Sequence, residues 1–157
     1  MDAIVMLKDD HRAVEKLFKE FEKAHKSGGS NRKAIVDQVL MALTQHAYIE
    51  ETIFYPVART AVPETEEHVL ESVEEHHVVA WLLSELANLS SSHETYDAKM
   101  MVLMENVRHH VKEEEEEWFP QVRKALGRKR LQELGEEMEA AKPQAPSDPL
   151  QLQSAKS

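Results

Sequence analysis

Apolar side chains near the start of the chain, at Ile4, Leu7, Val14, Phe18 and Phe21, recur at alternating three- and four-residue steps, with His11 in the same series. That spacing places all of them on one face of a helix, expected from about Asp2 to Lys26. The Ser-Gly-Gly-Ser run at 27–30 ends it. A second helix is expected from near Asn31, a favourable N-cap type. Its inner face carries Ile35, Val39, Ala42, His46, Ile49, Glu50, Ile53 and Val57. Pro56 is expected to kink or tighten its last turns, and Pro63 falls in the following connection. The third helix is expected from about Glu64 to Leu89, with Val69, Val73, His76, Ala80, Leu83 and Ala87 inward and Leu82 and Leu86 beside them. After Ser90-Ser91-Ser92-His93, a fourth should run from about Glu94 to Ala125. Leu103, Val107, His110 and Glu114 stand in line on it, with Pro120 near its end, and Gly127 is expected to stop it. A short fifth amphipathic helix over 128–141 would pack across one end. From Lys142 onward the composition turns to Pro, Gln, Ser and Ala, which predicts a disordered tail over 142–157. Long helices joined by short loops predict an all-α fold: residues 1–141 as one antiparallel up-down-up-down four-helix bundle.

The chain also repeats itself. His46-Ala-Tyr-Ile-Glu50-Glu-Thr-Ile-Phe-Tyr-Pro56 returns as His110-Val-Lys-Glu-Glu114-Glu-Glu-Glu-Trp-Phe-Pro120, 64 residues later. Asp9-Asp10-His11, with Val14, Leu17 and Phe18, aligns with Glu74-Glu75-His76, Val79, Leu82 and Leu83. Each half is therefore a helix with one inward histidine followed by a helix with His-x-x-x-Glu. Such a duplication implies two equivalent half-sites facing each other across a pseudo-twofold axis.

Residues four apart stack on one helix face, so a histidine and a glutamate at that spacing can reach one ion, or the glutamate can bridge two. Any one of these histidines would be unremarked in a core. Four histidines and two carboxylates converging on one small core are different, because each buried charge costs several kcal/mol unless compensated. No Lys or Arg shares their stripes, and a pair of metal ions would compensate them. The candidate ligands are His11, His46, Glu50, His76, His110 and Glu114. His25, His68, His77, His93 and His109 fall on polar faces, near helix ends or turned from the stripe. The Glu113–Glu117 run reads as a solvated face with only Glu114 inward. The Glu-x-x-His pairs Glu22/His25 and Glu74/His77 lie off the apolar stripe.

Composition narrows the chemistry. With no cysteine among 157 residues, thiolate catalysis, disulfides and iron–sulfur clusters are excluded, and any metal must sit on nitrogen and oxygen. The net charge of −10 argues against nucleic acid and against anionic membranes. No apolar run approaches the ~18 residues of a membrane span, and the first residues do not read as a signal or transit peptide. A cytoplasmic location is expected. Imidazole with carboxylate suits iron, manganese or zinc alike.

The ordered series His, His-x-x-x-Glu, His, His-x-x-x-Glu resembles the hemerythrin-like (HHE cation-binding) family over roughly residues 2–125. The resemblance implies a four-helix bundle with a non-haem di-iron centre, bridged by two carboxylates and a solvent-derived oxygen. His11 and His46 would serve one iron, His76 and His110 the other, and Glu50 and Glu114 would bridge. Two departures separate this chain from the oxygen carriers of the family. They have a fifth histidine one turn from the third-helix ligand, where this chain has Ser72 and Ala80. Their last carboxylate follows its histidine by five residues, and here the better match follows by four. A missing ligand leaves an iron more open, which suits reaction more than storage.

Tyr55 stands out because its repeat mate is Phe119. Its phenol is placed to ligate metal, donate a hydrogen bond or supply a proton, or it simply packs at the bundle end. Tyr48 lies two positions off the ligand stripe. Single-domain bacterial members of the family are linked to peroxide decomposition and oxidative-stress responses, so the resemblance implies reaction with hydrogen peroxide or dioxygen, in a catalase-like way. The alternative is non-catalytic binding, sensing or buffering of oxygen, nitric oxide or iron.

Overall fold

The computed structural model describes residues 1–29 and 31–154, and every regular element among them is helical. The first helix runs Ala3–Ser27. Asp2 caps it, its carboxylate accepting from the backbone N–H groups of Ile4 and Val5. Gly28 ends it in the left-handed region at φ 68°, a conformation strained for any residue with a side chain, and the N–H groups of Gly28 and Gly29 close onto the carbonyls of His25 and Ala24. Ser30 lies outside the described residues.

The second bundle helix starts at Arg32. Asn31 holds the N-cap position without a side-chain cap bond. It is α-helical over Arg32–Ile49, widens into a π turn over Glu50–Phe54 and resumes over Tyr55–Ala61. The fourth repeats this course: Tyr96–Glu113, a π turn over Glu114–Trp118, then α-helix from Phe119. Of the expected kinking or tightening at Pro56, the tightening is corrected here, because the turn before it is wider than α. A proline has no N–H for the carbonyl four residues back, and its ring clashes with that carbonyl. Moving to the five-residue bond between Tyr55 N–H and Glu50 O relieves both, and Phe119 N–H with Glu114 O does the same before Pro120.

The third helix spans Glu66–Ala87 after a short 3₁₀ turn at Pro63–Thr65. Its inner stripe ends at the fully buried Leu86, and Ala87 is exposed. With 3.6 residues per turn, a three-residue step from Leu83 keeps the stripe inward. Gly127, at φ 77°, breaks the fourth helix, and residues 128–141 form the fifth. Leu131, Leu134 and Met138 bury completely against Ile4 and Leu7 of the first helix. Gly135 meets the chain start so closely that a Cβ there would lie 1.7 Å from the carbonyl oxygen of Met1.

Composition placed the tail beyond 141 in disorder. The described part carries a 3₁₀ turn at Lys142–Gln144, a turn of helix at Gln151–Ser154 and a buried Leu152. Residues 155–157 lie outside the described residues.

Each bundle helix packs on its sequence neighbours, and the fourth closes on the first. The apolar core is split in two. One cluster gathers Leu7, Ile49, Phe54, Trp118 and Phe119 with the fifth helix, and the other gathers Val14, Phe18, Phe21, Val39, Leu83 and Leu103. His11 lies between Leu7 and Val14 on the first helix, and the other histidines are likewise placed, so a polar layer separates the two halves.

Candidate metal centre

All six candidate ligands meet in that layer. Glu50 and Glu114 are fully buried, and His11, His46 and His110 are nearly so. The rings of His11 and His46 present Nε2 atoms 3.2 Å apart. Glu50 Oε1 lies 3.1 Å from His46 Nε2 and 3.3 Å from His76 Nε2. Glu114 faces His11 Nε2 at 3.3 Å through Oε1 and His110 Nε2 at 3.2 Å through Oε2. Each carboxylate thus touches histidines of two helices. Two overlapping groups result, His11/His46/Glu50/Glu114 and Glu50/His76/His110, each offering ligand atoms within 4.8 Å of one another.

The far side of every ring is also engaged. His46 Nδ1 donates to Asp10 at 2.9 Å, and His76 Nδ1 to Glu51 at 2.7 Å. His110 Nδ1 donates to Glu75 at 2.8 Å, and His11 Nδ1 to Glu115 at 2.5 Å. Asp10 precedes His11, Glu75 precedes His76, Glu51 follows Glu50 and Glu115 follows Glu114. Every carboxylate that orients a ring is therefore a chain neighbour of a site residue on the adjoining helix. The four bonds form a closed circuit from first helix to second, third, fourth and back to first. Such bonds fix the tautomer and leave Nε2 free toward the centre.

The reading of Glu113–Glu117 as solvated apart from Glu114 is corrected by Glu115, whose carboxylate bonds His11. Sequence reasoning missed all four orienting carboxylates, although each recurs in the repeat. Tyr55 is 2% exposed, with its ring stacked on His76 and its hydroxyl in the site. That hydroxyl donates to Glu114 Oε2 at 2.8 Å and lies 3.4 Å from His76 Nε2 and 3.5 Å from His110 Nε2. Tyr48 packs against the apolar cluster that holds Phe54 and Trp118 instead.

Burial opposes charge on the histidines, but the facing carboxylates outweigh it. Against burial, Glu50 and Asp10 push His46 up from 6.5 to about 10. His110 is raised well above its usual value, chiefly by Glu114 against burial, and His11 and His76 are raised too. Burial opposes charge on Glu114 as well, yet His110 and His11 hold it well below the usual carboxylate range. Burial, with the charges of Glu114 and Glu50, pushes Tyr55 far up, so it keeps its proton. The protons on these rings are what a cation would displace, so loading should release protons.

Three buried carboxylate oxygens, Glu50 Oε1 and Oε2 and Glu114 Oε1, have no hydrogen-bond partner. A buried carboxylate costs several kcal/mol unless it is compensated, and among the described residues the compensation facing these oxygens comes from the histidines, whose protons a metal would displace. A hard or borderline cation fits this nitrogen and oxygen donor set and satisfies those oxygens.

The family model for the Hemerythrin HHE cation binding domain matches residues 2–122. This chain belongs to that family. A crystal structure of a hemerythrin HHE cation binding domain-containing protein from Mycobacterium kansasii superposes with a TM-score of 0.76 at 27% identity, covering 92% of this chain and 86% of that one. A DNA nickase from Nostoc sp. (strain PCC 7120 / SAG 25.82 / UTEX 2576) is 26% identical over 137 residues, which is 87% of this chain but 38% of that protein. The HHE chain therefore spans well under half of the nickase. No helix among its described residues is long and apolar enough to cross a membrane.

Proposed function

We propose that His11, His46, Glu50, His76, His110 and Glu114 hold two iron ions, with Glu50 and Glu114 shared between them. The protein then reacts with small oxidants, hydrogen peroxide foremost and dioxygen second, as a catalase-like activity in oxidative-stress defence. The observation that carries this reading is a pair of fully buried carboxylates, three of whose oxygens make no hydrogen bond, set against four imidazoles that are held from behind by carboxylates. Two irons, when bound, supply the two-electron exchange that converting two hydrogen peroxide molecules into two waters and one dioxygen requires.

The chain's own residues supply the rest. The orienting carboxylates keep the imidazoles in the ligating tautomer. Tyr55 holds a proton 2.8 Å from Glu114 Oε2, beside two of the histidines, where it can donate a hydrogen bond or ligate. Its neighbour positions Ser72 and Ala80, one turn either side of His76, are buried and carry no imidazole. The nickase's activity does not extend readily to this chain, whose net charge of −10 opposes phosphate binding.

The test is elemental analysis of protein purified without chelator, followed by oxygen release on adding hydrogen peroxide. About two irons per chain are expected on six protein ligands of this type, with sustained release that His46→Ala and Glu50→Ala abolish. Full activity in those variants would sink the ligand assignment. Two irons without oxygen release would leave binding of dioxygen or nitric oxide in place of turnover. No stoichiometric metal, even after anaerobic ferrous loading, would sink the centre itself.

A further inference from the structure

Beside the histidine layer, on the side of the apolar cluster that holds Val14 and Leu83, lies a cavity of about 50 Å³. Val14, Leu43, Val79, Leu83 and Val107 line it together with the four site histidines. Two features distinguish it from a packing void. Thr44 lines it at 3% exposure, and its hydroxyl has no hydrogen-bond partner. A helical threonine ordinarily bonds a carbonyl one turn back, and a buried hydroxyl left unpaired is destabilising, so Thr44 Oγ1 is a polar group waiting on an occupant. Secondly, Pro149 and Leu152 complete the lining, and both are buried. They come from outside the four helices and so form a roof. The roof segment is pinned where it begins: Lys142 Nζ donates to Asp10 Oδ1 at 2.6 Å, while Asp10 Oδ2 orients His46.

We propose that this cavity is the chamber through which hydrogen peroxide reaches the metal cluster, with Thr44 as its specificity-determining contact and Pro149 and Leu152 as its lid. The proposal rests on the function proposed above and names the substrate class it selects. A water-sized group takes roughly 10–15 Å³ of such space, so the chamber holds a few heavy atoms and excludes branched alkyl hydroperoxides. Its walls are mostly aliphatic, and of the polar groups that also line it Asp10 and Glu75 are already bonded to His46 and His110, so a small neutral molecule is favoured over a hydrated ion. A hydroxyl both donates and accepts. Hydrogen peroxide matches that on both counts, whereas dioxygen donates nothing.

Two measurements test it on full-length protein. The first needs no metal: methyl NMR of the apo protein under xenon, a probe that enters apolar cavities. Shifts at Val79, Leu83, Val107 and Leu152 are expected. Their absence in folded protein overturns the chamber whatever the metal content proves to be. The second compares kcat/KM for hydrogen peroxide and tert-butyl hydroperoxide in iron-loaded variants. Leu152→Ala should raise the alkyl-to-hydrogen-peroxide ratio about tenfold, the effect of a few methylenes in an apolar pocket. Thr44→Val, nearly isosteric, should lower kcat/KM for hydrogen peroxide about fivefold, as expected for one neutral hydrogen bond, while iron content stays unchanged and the melting temperature does not fall, since an unpaired buried hydroxyl is removed. An unchanged ratio in Leu152→Ala overturns the lid, and unchanged peroxide kinetics in Thr44→Val overturn the contact. Xenon shifts in a protein that takes up no metal would instead strike the proposed function and leave the chamber standing.

Discussion

Glu115 is 30% exposed, yet its carboxylate ends 2.5 Å from His11 Nδ1. At the scale of single residues, the chemistry of the centre depends on such groups as much as on the ligands. An orienting carboxylate raises the basicity of its imidazole and fixes the ring, and losing one costs about 10–100-fold in metal affinity. Glu115→Gln is therefore expected to weaken metal binding by about that factor in chelator competition. Glu116→Gln, at an exposed position on the same run, should leave it unchanged. Equal affinities in the two variants would remove Glu115 from the site. His11, His46 and their counterparts were legible from the apolar stripe they share. Glu115 was not, because it stands in a run of like residues and only the approach of the first helix singles it out.

At the scale of elements, the two π turns deserve the most weight, since each begins at a bridging candidate. Across each widened turn, consecutive glutamates meet opposite nitrogens of one imidazole, Glu50 and Glu51 those of His76, Glu114 and Glu115 those of His11. Glu50 faces the centre and Glu51 reaches His76 of the next helix, with Glu114 and Glu115 doing likewise. The prolines were visible in the repeat, but that the backbone widens before them is shown only by the bonds from Tyr55 N–H to Glu50 O and from Phe119 N–H to Glu114 O. The start of the first helix yields a separate prediction. Burial pushes the Asp2 carboxyl up, but bonds from Arg123 and from the N–H groups of Val5 and Ile4 outweigh it and hold the group below 3.8. Its folded value being lowered, its contribution is full above the unfolded value and disappears as pH falls through the folded one. Asp2→Ala should cost about 1 kcal/mol of stability near neutral pH. Urea denaturation should show the gap between variant and parent closing below about pH 4, and a gap that persists at low pH would count against the cap.

At the scale of the whole molecule, the centre lies between the two apolar clusters. The closed circuit of carboxylate–histidine bonds touches all four bundle helices, so a cation there binds the folded chain and not the unfolded one. Free metal at about 100 times its dissociation constant adds roughly 2.7 kcal/mol by mass action. For a chain of this size that corresponds to a rise in Tm on the order of 5–10 °C. Calorimetry with and without chelator checks it. Identical melting temperatures would mean that metal contributes nothing to the native state and would favour a metal-free helical module.

The sequence by itself determined the helical class, the order of the helices, the repeat and the six residues that converge, because periodicity and spacing along one chain decide which side chains share a helix face. Tertiary structure alone decided the rest. It paired Asp10 with His46, Glu51 with His76, Glu75 with His110 and Glu115 with His11. It aimed Tyr55 into the centre and laid Pro149 and Leu152 over the cavity. Those contacts join residues on different elements, up to 104 positions apart in the chain. No local pattern encodes such a distance, which is set by the packing of one helix against another.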